Sequence, residues 1–365
     1  MGDVDVGVAA VASWLGGLTA LERSQLAAGT ALAVVLLAAP PVIGLFRCLG
    51  LVEPCDKTDS PEIAQRHGPK RGTVTMGGVL LMGAALLSAG LWARWDGVLL
   101  PSIAGVMLAF GAIGALDDLI KIRHRFRKGL GRQGKMLFLG TVALAAATVT
   151  YAYFVVQGAA AGTAIQIPVV GWILPIGPLF VVVALVVLTS SANAVNLTDG
   201  LDGLAVGLLV LSFLAFAVLA LVAGTFVLAT RYGVLFVAGA TEVAVFTAAL
   251  AGAGLGFLFY NRHPARIFMG DTGALAMGGA LGMVALCIRQ EFLLPVIGGV
   301  FVAEAGSVIL QIWCYRRYGQ RIFLCAPLHH HFEFRNWPET RITRRFWLAG
   351  AVLCAVALLG TLGGR

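Results

Sequence analysis

Ten apolar stretches, each long enough to cross about 30 Å of hydrocarbon as a helix of about 20 residues, run through this 365-residue chain. They centre near residues 36, 85, 108, 146, 185, 213, 249, 278, 303 and 354. In lipid every backbone N–H and C=O must be bonded within the protein, so such a series folds as helices or not at all. Mean hydropathy is +0.90, with 59% hydrophobic and 12% charged residues, which excludes an ordinary soluble domain. The expected fold is an all-α polytopic membrane protein of about ten transmembrane helices. Residues 1–365 read as a single integral membrane domain, without repeats or a soluble second unit.

The basic residues give the orientation, because Lys and Arg near span ends tend to stay in the cytoplasm. With the N-terminus outside, the inner loops hold 21 of the 26: five in 47–71, seven in 121–135, two in 262–266 and seven in 316–345. Only Arg23, Arg94, Arg231, Arg289 and Arg365 fall on the other side. The net charge of +8 is mainly this bias, with the remainder serving anionic membrane lipid or a phosphorylated substrate; no nucleic-acid partner is expected. The first 25 residues carry Asp3, Asp5 and Glu22 and no basic start, so they read as a short amphipathic lead-in and not a cleaved signal. "AIQIPVVGWILPIG", 164–177, alternates β-branched residues around Pro168, Gly171 and Pro175 and is expected to form a small outer-face β-hairpin. Six scattered cysteines without a C-x-x-C pair suggest neither a disulfide framework nor zinc.

Ionisable residues gather at the inner ends of the spans. A transporter would be expected to place them near the midplane in broken helices. "GALDDLIK" closes the third span with Asp117 and Asp118. Adjacent helical side chains diverge by about 100°, which suits a division of labour: one carboxylate toward a metal or phosphate, the other toward a proton or a lysine. Lys121 is within reach of either. "NRHPARIFMGDTGALAMGG" sets Asp271 between glycines where the eighth span begins, and "NAVNLTDGLDGLA" puts Asn196, Asp199 and Asp202 before the sixth. A lone aspartate at a helix start is most often a cap. Two such starts beside a paired aspartate point further, to a phosphate approaching backbone N–H groups at a positive helix end.

"APLHHHFE", 326–333, places His329, His330 and His331 in the last inner loop. Consecutive side chains of an extended segment point alternately, so zinc is disfavoured and hydrogen bonds to phosphate or sugar oxygens are the natural use. Acidic residues among Lys and His are the means by which enzymes hold Mg²⁺ and neutralise a diphosphate. A nucleotide-activated substrate arriving from the cytoplasm and a prenyl or acyl chain arriving from the membrane would both reach such a site.

These motifs, with "KRGTVTMGG", resemble the polyprenyl-phosphate N-acetylhexosamine 1-phosphate transferases from about residue 27 to the end. The resemblance implies ten transmembrane helices, a cytoplasmic active site, Mg²⁺ and a homodimer in the bacterial inner membrane. Within the family, the match implies transfer of phospho-MurNAc-pentapeptide from UDP-MurNAc-pentapeptide to undecaprenyl phosphate, giving lipid I and UMP. It implies catalytic roles for Asp117, Asp118, Asp271 and His330, and Mg²⁺ on Asp271 and Asp117. It also implies substrate contacts from Lys70, Lys121, Lys135, Asn193, Asn196, Asp199, Asn261, Glu304, His329 and His331, with Phe268 stacking on uracil. Direct attack by the lipid phosphate and a phosphoryl-enzyme route both fit these residues. Val74 stands where the family pattern has proline, and Ala274 where it has serine. The rival readings are a UDP-GlcNAc:polyprenyl-phosphate GlcNAc-1-phosphate transferase and, outside enzymes, an anion transporter.

Overall fold

The computed structural model describes residues 17–52, 72–123, 129–158, 164–167 and 171–363. The helices are α1 (Ala20–Cys48), α2 (Gly78–Trp92), α3 (Leu99–Arg123), α4 (Arg132–Val156), α5 (Leu179–Thr198), α6 (Leu204–Gly224), α7 (Phe226–Tyr232), α8 (Ala240–Asn261), α9 (Gly270–Cys287), α10 (Leu294–Ile297), α11 (Gly299–Tyr318), α12 (Leu328–Phe334) and α13 (Glu339–Leu362). Eight of them are long and apolar enough to cross a membrane. The two other expected spans are α2, of only 15 residues, and α11. Beyond Glu304, α11 exposes Ile309, Leu310, Ile312, Trp313, Tyr315 and Tyr318, so its second half stands clear of the packed bundle.

The first helix begins earlier than the sequence reading placed it. Thr19 and Glu22 form a reciprocal capping box, which starts α1 at Ala20 and absorbs residues assigned to the lead-in. β1 (Ala164–Ile167) and β2 (Trp172–Pro175) pair antiparallel, as the alternation predicts. Gln166 fastens this hairpin to the segment after α7, donating to the Gly233 carbonyl and accepting from Leu235 N.

The most enclosed span is α9, with 89% of its residues buried, and α2, α3 and α5 pack around it. Gly114 of α3 lies directly against the carbonyl of Asp271, leaving no room for a Cβ. That close approach brings the paired aspartates, one turn further along α3, to the start of α9. Two ends of the bundle follow. At one end, a parallel bridge joins Val74 to Ile267 and an antiparallel one joins Val74 to Val52. Val74 thus ties two loops together. The described parts of the basic loops, including Gly129–Leu130, Gly200–Gly203 and Arg262–Met269, lie at this same end. About 27 Å away, by the rise of the 18-residue α9, lies the other end. It holds the hairpin and a bidentate Arg23–Glu242 pair at 2.6 and 2.7 Å.

Arg289, with φ +59°, is buried at this second end. It donates to the Ala164 carbonyl, and its guanidinium lies 5.0 Å from the Phe154 ring and 4.5 Å from that of Phe180. Nearby Glu291 is fully enclosed, and burial pushes its carboxyl up to about 7 against the opposing pull of Arg289.

Candidate active site

The adjacent aspartates of α3 face different partners; Asp117 faces a lysine, and Asp118 meets a helix start in place of the expected metal or phosphate. Asp118 turns to the N-terminus of α9: its Oδ2 accepts from Thr272 N at 2.9 Å and Thr272 Oγ1 at 2.7 Å, and its Oδ1 from Asp271 N at 3.3 Å. A carboxylate here satisfies N–H groups that a helix start leaves unbonded. Gly270, at φ +72°, makes the turn that allows it.

Asp117 faces the other way. Its Oδ1 accepts from Leu130 N at 2.6 Å, and its Oδ2 lies 2.5 Å from Lys121 Nζ and 3.6 Å from Lys135 Nζ. Asp271 meets the same lysines: its Oδ2 accepts from Lys121 and Lys135, both at 2.7 Å, and its Oδ1 from Asn196 Nδ2 at 2.8 Å. Four helices therefore converge: α3 brings Asp117 and Lys121, α4 Lys135, α5 Asn196 and α9 Asp271. Lys135 belongs to this cluster as fully as Lys121. The Asp117 side chain is only 2% exposed, whereas Asp271 and the lysines are 15–21% exposed and open to a ligand.

The fold allows this through Gly129, which sits at φ +69° against Asp117 Oδ1 and the Lys121 side chain. A Cβ there would press on both. The two carboxylates also fit a hard cation. Lys121 Nζ is 2.5 Å from one and 2.7 Å from the other, so their oxygens already converge on a single cation-sized point.

The remaining candidates lie around this cluster at different depths. One turn beyond Asn196, Asp199 caps α5, and Gly200 presses against the His329 ring. His329 is buried, with Nδ1 3.2 Å from Glu304 Oε2, and its backbone N donates to Glu304 Oε1 at 3.2 Å. Its Nε2, aimed at Gly200, has no hydrogen-bond partner among the described residues. His330 Nδ1 is 2.6 Å from Glu333 Oε2, and His331 Nδ1 accepts from Leu324 N at 3.1 Å. Burial, with Arg335 close by, holds the His331 pKa below the usual imidazole value. The three histidines are helical, in α12, and not extended as the sequence reading assumed. Divergence by about 100° per residue then sends each ring to a different neighbour, and the argument against a convergent zinc site survives on new geometry.

Asn193 bonds back to the Thr189 carbonyl at 2.7 Å and faces Met136, outside the cluster. Half-buried Phe268 is pinned by its backbone, donating to the Val74 carbonyl at 2.7 Å and accepting from Gly77 N at 2.9 Å. Asn261 joins loops: Oδ1 accepts from Gly203 N at 3.1 Å and Nδ2 donates to the Ile267 carbonyl at 2.9 Å. Lys70 lies outside the described residues.

Sequence reasoning missed Thr272 and Glu339. The "GDT" triplet carries the first signal, since a hydroxyl one residue into a helix can share a capping carboxylate. Glu339 opens α13 after Pro338, and its Oε1 accepts from Asp202 N at 2.5 Å. With His263, Asp202 and Glu339 form a second group whose ligand atoms lie within 4.8 Å. Its oxygens also hold backbone N–H groups of Asp202 and Ala265, so it fastens the turn before α6 to α13 and to the loop before α9.

Residues 100–289, which contain the whole cluster, match the family model for glycosyl transferase family 4. The chain is 41% identical over 352 residues to a phospho-N-acetylmuramoyl-pentapeptide-transferase of Neisseria meningitidis serogroup C, covering 95% of this chain and 96% of that one. The same identity and coverage hold for the Neisseria gonorrhoeae protein of that name. A third, from Desulfotalea psychrophila, is 44% identical over 304 residues, covering 83% of this chain and 82% of that protein. The chain belongs to glycosyl transferase family 4. It is a membrane transferase, and its paired aspartates, both lysines, Asn196 and Asp271 all fall inside the matched segment.

Proposed function

We propose that this transferase moves phospho-MurNAc-pentapeptide from UDP-MurNAc-pentapeptide to undecaprenyl phosphate, giving lipid I and UMP. The observation that carries the reading is the cluster of Asp117, Lys121, Lys135, Asn196 and Asp271 at one end of a membrane bundle. Relatives named for this transferase, matched along nearly the whole chain, support the choice of donor.

In the reaction an oxygen of the lipid phosphate attacks the β-phosphorus of the donor. The bond from that phosphorus to the bridging oxygen breaks, and UMP leaves with the electron pair. Lys121 and Lys135 hold the diphosphate by charge. Asp117 orients the lipid phosphate and takes its proton where one is present. Asp118 positions Asp271 by fixing the start of α9, and Asn196 orients the Asp271 carboxylate. Mg²⁺, held by Asp271 and Asp117, would neutralise charge on the diphosphate and the departing phosphate. His329 is steadied by Glu304 with its Nε2 against the Gly200 turn, and Phe268, held by Val74 and Gly77, would stack on uracil. His330 and His331 shape the same loop.

The basic loops support a cytoplasmic site on an inner-membrane protein, and the family resemblance supports a homodimer. The test supplies UDP-MurNAc-pentapeptide and UDP-GlcNAc at equal concentration with undecaprenyl phosphate and Mg²⁺. Lipid-linked product should come from the first donor, with stoichiometric UMP and none without divalent metal. Preference for UDP-GlcNAc would reject the donor assignment.

A further inference from the structure

At the same end as the catalytic cluster, but on another flank of the bundle, a partly open cavity of about 480 Å³ lies between the end of α1, the end of α8 and the loops at 72–73 and 265–266. Its volume is in the range of about 300–1,000 Å³ typical of small-ligand sites. Two walls differ in chemistry. Pro40 and Ile43 of α1 give an apolar side, and Tyr260, whose hydroxyl donates to the Leu36 carbonyl at 2.9 Å, fixes the floor. Arg47 and Arg266 give the other side, with Thr73 between the loops.

Both arginines are exposed, and among the described residues neither has an ion-pair partner. Among the described residues no acidic side chain lines the cavity. Along α1, Pro40, Ile43 and Arg47 share one face. Leu37, on the neighbouring stripe, is 78% exposed in a helix apolar enough to span the bilayer. A ligand here meets hydrocarbon beside it and two guanidiniums at its head.

We propose that this cavity binds the phosphodiester headgroup of an anionic glycerophospholipid from the leaflet at the Asp271 end, with its acyl chains lying along α1. Guanidinium pairs suit phosphate because their planar N–H forks match its oxygens. The general inner-loop bias accounts for arginines near span ends, but not for two from distant parts of the chain converging on one concavity. The site bears on catalysis through the backbone. Thr73 precedes Val74, which bridges to Ile267, and Arg266 precedes the strand-like run whose Phe268 and Met269 carbonyls accept from Gly77 N and Gly78 N at 2.9 and 3.0 Å. A headgroup held by Arg47 and Arg266 braces the ribbon that delivers Gly270 and Asp271. The inference is independent of the donor assigned above.

Native mass spectrometry of the detergent-purified full chain, incubated with phosphatidylglycerol or phosphatidylcholine, reads the lipids retained. The wild type should keep one more phosphatidylglycerol than the Arg47→Gln/Arg266→Gln variant and favour it over phosphatidylcholine at least fivefold. Arg321→Gln, at the same end but away from the cavity, should behave as wild type. Ala265→Phe, which fills the cavity while keeping both charges, should lose the same lipid. Phosphatidylglycerol should raise the melting temperature of the wild type, and inorganic phosphate should not. Equal retention by the double variant, no preference for the anionic lipid, or an equal effect of free phosphate would overturn the assignment.

Discussion

Asp117 and Asp118 are neighbours in sequence with opposite surroundings, and substitution should separate them. Asp117→Asn and Asp271→Asn keep shape and remove charge where phosphate chemistry is proposed, so each should lower kcat by about a hundredfold or more with little change in melting temperature. Asp118→Ala strips three donors of their acceptor at a buried helix start. Loss of a cap costs about 1 kcal/mol, and more where the N–H groups stay buried. It should therefore lower the melting temperature as well as kcat. Parallel thermal melts and UMP-release rates check the distinction, and an unshifted melting temperature in Asp118→Ala would remove the positioning role. Glu291 supplies a pH signature. Its folded carboxyl, raised to about 7, sits above its unfolded value, so the protonated form favours the fold. The stability this contributes is complete below about pH 4.5 and is lost as pH rises through 7. Melting temperatures at pH 5 and pH 8 should differ more for the wild type than for Glu291→Gln, and equal differences would exclude Glu291 as the source.

Elements explain which parts were legible in advance. Span positions, the hairpin and the gathering of acidic residues at span ends follow from hydropathy and alternation, which are local properties of the chain. The direction each carboxylate faces is not local. It depends on α3 meeting α9 at Gly114, a packing contact between segments more than 150 residues apart that no window of sequence contains. The helical form of "LHHHFEF" was hidden for a related reason: seven residues are too few for periodicity to separate helix from extended chain. Arg289 was assigned to the outer side, but its burial between two aromatic rings was not visible, because Phe154 and Phe180 come from other helices. The α3–α4 connection yields its own expectation. Gly129→Ala puts a methyl group against Asp117 and Lys121 in a left-handed backbone, so activity should fall at least tenfold. Unchanged activity would show that the connection is not held in this form during turnover.

For the whole molecule, the two ends of the bundle make the orientation testable. In a background without native cysteines, Gln157→Cys lies at the hairpin end and Arg321→Cys at the Asp271 end, both on exposed positions. An impermeant thiol reagent added to intact cells should label the first and spare the second, and the reverse pattern would invert the topology. The cluster around Asp271 also has an electrical consequence. Asp117 and Asp271 contribute two negative charges, Lys121 and Lys135 two positive ones, and the sum is zero. Beside hydrocarbon, where unbalanced charge is costly, these four groups balance one another without a further ion. A diphosphate alone or a divalent cation alone would upset that balance, whereas the two together restore it. With both bound, the site would act as an ion exchanger: the lysines would pair with the phosphates, and Asp117 and Asp271 would be left to hold the metal. By thermodynamic reciprocity each ligand then strengthens the binding of the other, and the nucleotide donor should tighten metal binding by the same factor as metal tightens the donor.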